Sequence, residues 1–200
     1  IEELWMKLII YTLLDVNDFI QQENTPRTLT LFDRVHKAQR LMSDQLELLH
    51  TMSPKEYQEI RLQLGNGSGQ ESPGFRLLLT MPSKIWDSFT AKYLTKHSRT
   101  VESIYSTNYQ HCDAYMIAES LFTFDFLFLR FLQEHMTLIY RSIGMESNSL
   151  KGRSVELLNS RLSKRFFPEL WKVRAKMTDK WKNTYGSVRC PIHHSSKEER

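Results

Sequence analysis

Residues 120–144 read SLFTFDFLFLRFLQEHMTLIYRSIG, and this stretch decides the fold class. Its apolar residues recur three and four positions apart, which is the spacing of one face of an α-helix. Asp125 and Arg130 interrupt the richest apolar run, and no uninterrupted apolar stretch of the chain reaches the ~20 residues that a bilayer span needs. The stretch therefore predicts a long, buried helix that ends at Gly144.

The same helical period continues along most of the chain, and strand-like alternation is nearly absent. Ser53-Pro54-Lys55-Glu56 is a capping-box sequence with proline at the first helical position, so it predicts a helix start. The predicted helices are one marked by Leu4, Leu8, Tyr11, Leu14 and Phe19 that ends near Asn24-Thr25-Pro26, then Thr30 to Met52, Ser53 to Gly65, Ser83 to Leu94, Asn108 to Ile143, Val155 to Leu162 and Pro168 to Met177. The fold class is therefore predicted as all-α: a helical bundle of one domain over residues 1–185, followed by a disordered tail over residues 186–200.

Composition and charge narrow the function classes. The chain has 200 residues and a net charge of +4, with a local basic excess from Lys151 to Lys182 that predicts a solvated helix face rather than a nucleic-acid surface. Cys112 and Cys190 are too few for a disulfide framework or a closed zinc site, which favours a reducing cytoplasm. The opening residues, IEELWMKL, read like the middle of a helix, so we expect a further segment upstream.

His135 is the first candidate for chemistry. Phe128, Phe131, Leu132, Leu138 and Ile139 lie three, four or seven residues from it and share its face of the helix. A histidine in that setting is either a hydrogen-bonded core residue or a ligand of something large and apolar that lies against the helix. A haem fits the second description, because its macrocycle needs aromatic and aliphatic walls and its iron needs an imidazole nitrogen. Periodicity leaves both alternatives open.

Arg76 is the second candidate, and it ends the loop GNGSGQESPGFR at residues 65–76. A guanidinium beside the apolar run Leu77 to Leu79 needs an anion, since an unpaired buried charge is costly. The anion is either a carboxylate of the protein or that of a substrate, which arginine binds through two parallel hydrogen bonds. Glycine N–H groups and the hydroxyls of Ser68 and Ser72 are within reach of the same ligand.

The other candidates are weaker. His36 and His50 are too far apart on one helix to bind a metal together, and His111-Cys112 point to different helix faces. His193-His194 fall in the predicted tail. The sequence contains no phosphate-binding loop, HExxH pair, nucleophile elbow or CxxC motif.

Several segments in register carry a family resemblance. They are ELWMKL at Glu3 to Leu8, LLHTMSPKEYQEIR at Leu48 to Arg61, SGQESPGFRLL at Ser68 to Leu78, QEHM at Gln133 to Met136 with YRSIG at Tyr140 to Gly144, and RFFPELWKVR at Arg165 to Arg174. In this order and spacing, from Glu3 to about Met177, they resemble the tryptophan 2,3-dioxygenase family of haem enzymes.

The resemblance implies roles for individual residues. His135 matches the proximal ligand of the iron of haem b, and Trp5 matches a residue beside that cofactor. Arg76 matches the arginine that holds the amino-acid carboxylate, with Ser68 and Ser72 beside it. Ser149 is the hydroxyl nearest to the place of the family's ammonium-binding threonine, where the sequence reads GMESNSLKGRSVELL. The family's distal histidine falls before Ile1, and the resemblance also implies a homotetramer.

This chain departs from the family pattern at two places near the substrate. Gln70 stands where the family has phenylalanine, and Pro73-Gly74 replaces two larger residues. The resemblance accordingly implies a haem-dependent oxygenase that inserts one or both atoms of O2 into the indole ring of tryptophan or a tryptophan derivative. The alternatives are a hydroxylase of a tyrosine derivative, or a non-enzymatic helical bundle that binds a partner, with His135 as a core residue and Arg76 in an internal ion pair.

Overall fold

The computed structural model describes residues 1–63, 72–106, 110–145 and 162–181, and every regular element in these ranges is helical. The predicted all-α fold class is therefore confirmed. The helices are α1 (Glu2–Gln21), α2 (Thr25–Leu49), α3 (Pro54–Gln63), α4 (Pro73–Leu78), α5 (Met81–Phe89), α6 (Val101–Tyr105), α7 (Asp113–Ile143) and α8 (Pro168–Trp181), and a π-helical turn (Thr90–Leu94) and a 3-10 turn (Thr95–His97) follow α5.

Capping residues fix where the helices begin. The backbone N–H of Ser53 donates to Glu56 Oε2 at 2.7 Å and the N–H of Glu56 donates to Ser53 Oγ at 3.3 Å, so the predicted capping box is present. The start of α2 was predicted too late, at Thr30. Asn24 accepts a hydrogen bond from the backbone N–H of Arg27 and thereby caps a helix that already begins at Thr25.

Two short helices were not predicted from the sequence. Ser72 caps α4 by accepting a hydrogen bond from the N–H of Phe75 at 3.0 Å, and Thr100 and Ser103 form the capping box of α6. Both helices are too short for the helical spacing of apolar residues to be recognised in the sequence. Helix α7 was predicted to begin too early, near Asn108, since it begins at Asp113. Outside the described residues lie the predicted helix Val155 to Leu162 except for its last residue, and the predicted disordered tail.

The core forms where α2 packs between α1 and α7. The apolar residues that marked α1 in the sequence are mostly on its outer face, because Leu4 is 70%, Tyr11 60% and Leu14 45% exposed. The face of α1 that packs on the core carries Met6, Ile9, Ile10, Leu13, Val16 and Ile20. Helix α1 thus has apolar residues on two faces, and among the described residues only one of these faces is packed against the core.

A buried carboxylate fastens α8 to the middle of α7. Asp125 Oδ2 accepts three hydrogen bonds, from the backbone N–H groups of Phe166 (3.0 Å) and Phe167 (3.1 Å) and from Trp171 Nε1 (2.9 Å). Asp125 is only 2% exposed. The carboxylate that interrupts the apolar run of α7 is therefore a structural anchor for the segment that leads into α8.

Within the described part of the chain, no helix is both long enough and apolar enough to cross a bilayer. In the basic stretch near the end of the chain, Lys176 and Lys180 both pair with Glu102 on α6. Arg174 pairs with Glu119 on α7 and lies over the ring of Phe122. These basic residues of α8 thus make contacts within the protein.

Candidate functional site

A cavity of about 330 Å³ opens between the start of α1, the end of α2 and the second half of α7. This volume is at the lower end of the range for small-molecule sites. Its walls are mainly apolar, with a few polar groups: Glu2, Glu3 and Met6 of α1, Leu46 and Leu49 of α2, Tyr57 of α3, Ser72 and Phe75 at α4, Phe131, Leu132, His135, Met136 and Leu138 of α7, and Leu162. Four of the segments that carry the family resemblance thus contribute to this cavity, whereas the segments Tyr140 to Gly144 and Arg165 to Arg174 do not line it.

The imidazole of His135 borders this cavity. Its ring stacks on that of Phe131, with 6.3 Å between the ring centroids and 15° between the planes. The residue is half-buried by surface area and is one of the residues that line the cavity. Burial lowers the pKa of His135 below its ordinary value, so the ring is neutral at neutral pH and a nitrogen lone pair is available.

No hydrogen-bond partner for either ring nitrogen of His135 occurs among the described residues. Neither ring nitrogen is among the described fully buried atoms that lack a partner, so the ring is not sealed within the core. A neutral, unpartnered imidazole between aromatic and aliphatic walls is the donor that haem iron takes. The types of residue present therefore fit a haem, which His135 would hold.

Two carboxylates from the first turn of α1 also reach the cavity, and their surroundings differ. Glu3 accepts a hydrogen bond from the backbone N–H of Gly74 at 3.1 Å and another from the hydroxyl of Ser72. Glu2 Oε2 is buried and has no hydrogen-bond partner among the described residues. Burial raises the pKa of Glu2 to about 7.

Sequence reasoning missed Glu2, although a signal was present. Glu2 lies one helical turn before Met6, on the face that continues through Ile9 and Leu13 into the core. A carboxylate on the buried face of an amphipathic helix indicates a functional group. The pattern used to predict α1 followed the outer face instead, so this charge was not recognised as facing inwards.

Gly74 allows α4 to approach α1 closely. A Cβ atom at this position would lie 2.5 Å from Glu3 Oε2 and 3.1 Å from Met6 Cβ. The departure from the family pattern at Pro73-Gly74 thus has a structural consequence, since it places the backbone N–H of Gly74 directly on the Glu3 carboxylate.

The other sequence-predicted site residues are placed as follows. Ser72 lines the cavity, while its neighbour on α4, Arg76, is exposed and lies outside the lining. Within the described ranges the Arg76 guanidinium forms no ion pair, so the predicted internal ion pair is not observed there. Trp5 is half-buried, is not among the lining residues, and donates from Nε1 to Gln45 Oε1 at 2.9 Å. Ser68 and Ser149 lie outside the described residues.

The structure also shows the surroundings of the histidines that the sequence offered as possible metal ligands. His36 is buried, and its Nε2 lies 3.0 Å from the carbonyl oxygen of Ser120. The ring of His111 stacks on that of Tyr115 at 4.5 Å between centroids. In the part of the chain that the structure describes, no group of three or more histidine, cysteine or acidic side chains is arranged to hold a metal ion.

The fold and the cavity define a helical protein in which one histidine faces an apolar ligand site. A sequence model of the tryptophan 2,3-dioxygenase family matches residues 1–103, which is half of the chain. The chain therefore belongs to the tryptophan 2,3-dioxygenase family.

Similar proteins extend the match beyond residue 103. The tryptophan 2,3-dioxygenase of Myxococcus xanthus is 28% identical, with 88% of this chain and 77% of the relative covered. The enzymes of the same name from Erythrobacter litoralis (27% identical, 86% and 84% covered) and Serratia proteamaculans (26% identical, 88% and 80% covered) give the same picture.

Proposed function

We propose that this protein is a haem-dependent oxygenase that oxidises the indole ring of tryptophan or of a tryptophan derivative. The observation that carries the proposal is the neutral, unpartnered imidazole of His135 at an apolar cavity in a chain of this family. The relatives that share most of its length are named tryptophan 2,3-dioxygenases, which supports an oxidoreductase acting on tryptophan. The same family membership counts against a non-enzymatic bundle and gives no support to a tyrosine-derivative hydroxylase.

His135 would hold the haem iron through one ring nitrogen, while Phe131 and Leu132 on the same helix pack beside the ring plane. The bound haem would supply the iron centre that activates O2. The protein's own part is to exclude water from the reaction space, and the apolar side chains of α2, α4 and α7 do so along the cavity. Trp5 on α1 would support the same cofactor, although it is not itself one of the residues that line the cavity.

The substrate would be held at the end of the cavity where α4 meets α1. Arg76, Ser68 and Ser72 are proposed as its polar contacts there, with Ser149 from a separate segment. Arg76 would bind the amino-acid carboxylate, and its lack of an ion pair among the described residues leaves the guanidinium available. Fixing the carboxylate would orient the indole ring for reaction, which is the main way a binding site accelerates such a step.

We also propose that the protein is a homo-oligomer, with a tetramer as the family resemblance implies. Support comes from the outer face of α1, where Leu4 is 70% and Tyr11 60% exposed. An apolar stripe of this kind is typical of a subunit interface. Replacing both residues with aspartate should convert the assembly to a smaller species in size-exclusion chromatography with light scattering. An unchanged mass would contradict the use of this face.

The reaction itself is tested by product analysis. The purified protein, expressed with a haem precursor, should absorb near ~400 nm. Incubation with L-tryptophan and O2 should yield a product heavier by about 32 mass units if both oxygen atoms enter, or by about 16 if one enters. Use of ¹⁸O₂ identifies the source of the added oxygen. A colourless protein that leaves tryptophan unaltered would contradict the proposal. The cytoplasmic location stays a prediction from the sequence.

A further inference from the structure

A second layer of aromatic side chains lies behind the wall of the cavity. Phe75 of α4 and Phe131 of α7 line the cavity, and both rings pack against Phe128. The ring centroids of Phe75 and Phe128 are 5.8 Å apart, and those of Phe131 and Phe128 are 6.3 Å apart. Phe128 is buried and is not one of the lining residues. Because protein interiors are closely packed, the separation of the two wall residues depends on how the Phe128 ring is held.

Phe166, in the segment that leads into α8, holds the Phe128 ring from the side away from the lining. The centroids of these two rings are 4.8 Å apart, closer than those of Phe128 and either wall residue. An aromatic pair at this distance adds to ordinary apolar packing. Phe166 is half-buried and does not line the cavity, so its contact with the wall residues runs through Phe128.

The backbone of the same segment is fixed at one end and reaches the cavity at the other. The N–H groups of Phe166 and Phe167 donate to Asp125 Oδ2 at 3.0 and 3.1 Å. Four residues before Phe166, Leu162 lines the cavity. A ring on a backbone that is fixed by hydrogen bonds can hold its neighbour in place, which is how a supporting residue outside a site defines the geometry inside it.

The same series of contacts continues to His135. The ring of Phe131 stacks on that of His135, with 6.3 Å between the centroids and 15° between the planes. The rings of Phe166, Phe128, Phe131 and His135 are therefore in consecutive contact. Groups behind a ligating histidine generally set the orientation of its ring. Support at Phe166 should consequently be felt at the imidazole.

We propose that Phe166 is a positioning residue of the cavity: by packing on Phe128, it keeps Phe75 and Phe131 at the separation that the flat macrocycle of a haem requires. This inference rests on the proposed function, because it takes a haem as the occupant. It adds a residue that lies outside the cavity lining and apart from the proposed polar contacts with the substrate.

The test compares Phe166→Leu, which keeps an apolar side chain without the ring, with Phe166→Tyr, which keeps the ring. Haem is titrated into each purified haem-free protein, and the dissociation constant is obtained from the absorption band near ~400 nm. Phe166→Leu should bind haem about three- to tenfold more weakly than wild type, because the aromatic contact with Phe128 is lost. Phe166→Tyr should stay within about twofold of wild type.

Phe122→Leu is the matched control. Phe122 is also half-buried and packs on α8, with its ring centroid 4.7 Å from that of Trp171. Both leucine variants should lose stability in urea denaturation, but only Phe166→Leu should lose haem affinity. Equal measured haem affinities for the two leucine variants would overturn the inference and assign Phe166 to ordinary packing. Haem binding by Phe166→Tyr as weak as that by Phe166→Leu would overturn it as well.

A second readout does not involve haem. Met6 and Met136 line the cavity, and Met145, which is 65% exposed, serves as a reference. In ¹³C-methyl NMR spectra of the haem-free protein, Phe166→Leu should shift the resonances of Met6 and Met136 but not that of Met145, and Phe122→Leu should shift none of the three. Unshifted Met6 and Met136 resonances in Phe166→Leu would contradict the inference. A wild-type protein that takes up no haem, together with these shifts, would retain the positioning role and contradict the proposed function instead.

Discussion

The middle of α7 and its second half differ in how their buried histidine and carboxylate groups are partnered, although Gln39 Oε1, on the side chain that donates to the Phe124 carbonyl, is also buried without a partner among the described residues. At the middle, Asp125 accepts three hydrogen bonds, and nearby the ring of His36 on α2 lies 3.0 Å from the Ser120 carbonyl. In the second half, the imidazole of His135 has no hydrogen-bond partner among the described residues, and neither has Oε2 of Glu2, another residue that lines the cavity. Histidine and carboxylate occur in both regions, so residue type alone does not distinguish them.

The difference indicates which region is structural and which is functional. A satisfied buried polar group joins two elements and contributes to the stability of the folded state. An unsatisfied one lowers stability until a ligand supplies the missing partner. Removing a partnered group should therefore cost stability, whereas removing an unpartnered one should cost binding.

The largest effect on stability is expected at Asp125. Asp125→Ala leaves the N–H groups of Phe166 and Phe167 and the indole N–H of Trp171 without their acceptor, and it should lower the free energy of unfolding by about 3–5 kcal/mol. Urea denaturation measures the change. Asp44→Ala is the control, because Asp44 is 56% exposed in a pair with Arg130 at 3.9 Å and should cost under about 1 kcal/mol. Similar losses for both variants would contradict the anchoring role.

Arg76 should show the reverse pattern, a loss of function with stability retained. Arg76→Ala removes the proposed carboxylate contact and should lower kcat/KM by the equivalent of roughly 2–4 kcal/mol, with the haem absorption nearly normal. Arg76→Lys should restore only part of the activity, because a point charge cannot make two parallel hydrogen bonds. Arg34→Ala, an exposed arginine on α2, provides the control. Turnover by Arg76→Ala equal to that of the control would show that Arg76 does not bind substrate.

The buried ring of His36 should make the stability of the folded protein depend on pH. Burial lowers the pKa of His36 from 6.5 to about 4, so between these values the unfolded chain binds a proton that the folded protein does not. Stability should therefore fall as the pH falls from 6.5 towards 4, by up to about 3 kcal/mol. Glu2 acts in the opposite direction, because its raised pKa makes the folded protein bind the extra proton between pH 4.5 and about 7.

The contribution of His36 to the pH dependence is separated from that of Glu2 by comparing wild type with His36→Gln. This variant keeps an amide donor for the Ser120 carbonyl and cannot titrate. Urea denaturation is carried out at several pH values. The wild-type free energy of unfolding minus that of the variant should decrease on acidification, while a difference that is constant with pH would refute the assignment to His36.

The smallest effect on stability is expected at Gly74, where the substitution should act in the direction opposite to the usual one. Replacing a glycine inside a helix with alanine normally stabilises a protein. Here the new Cβ would lie 3.1 Å from Met6 Cβ and would displace the Glu3 carboxylate, so Gly74→Ala should destabilise the protein by about 1 kcal/mol. Thermal unfolding measures the shift. A variant more stable than wild type would show that α4 and α1 can separate without loss.

The sequence was sufficient for the fold class, and it singled out His135 and Ser72, which both line the cavity, but it did not reveal Glu2. The helical spacing of apolar residues continues along the whole of α7, so the sequence alone predicts this helix. The capping box at Ser53 and the helix end at Gly144 depend only on neighbouring residues, so they could be predicted as well. Helix α1 has apolar residues on both faces, and periodicity cannot tell which face meets the core. Glu2 was therefore missed, because its burial and lack of partner depend on how α1, α4 and α7 pack together.

The central claim, that His135 is the ligand of a haem iron, is tested most directly by haem titration of His135→Ala beside wild type. The variant should bind haem at least about tenfold more weakly and lose the ~400 nm band of the coordinated iron. Added imidazole should restore that band, and the stability of the haem-free fold should change little, since the ring has no partner among the described residues. A variant that takes up haem with the affinity and spectrum of wild type would contradict the account.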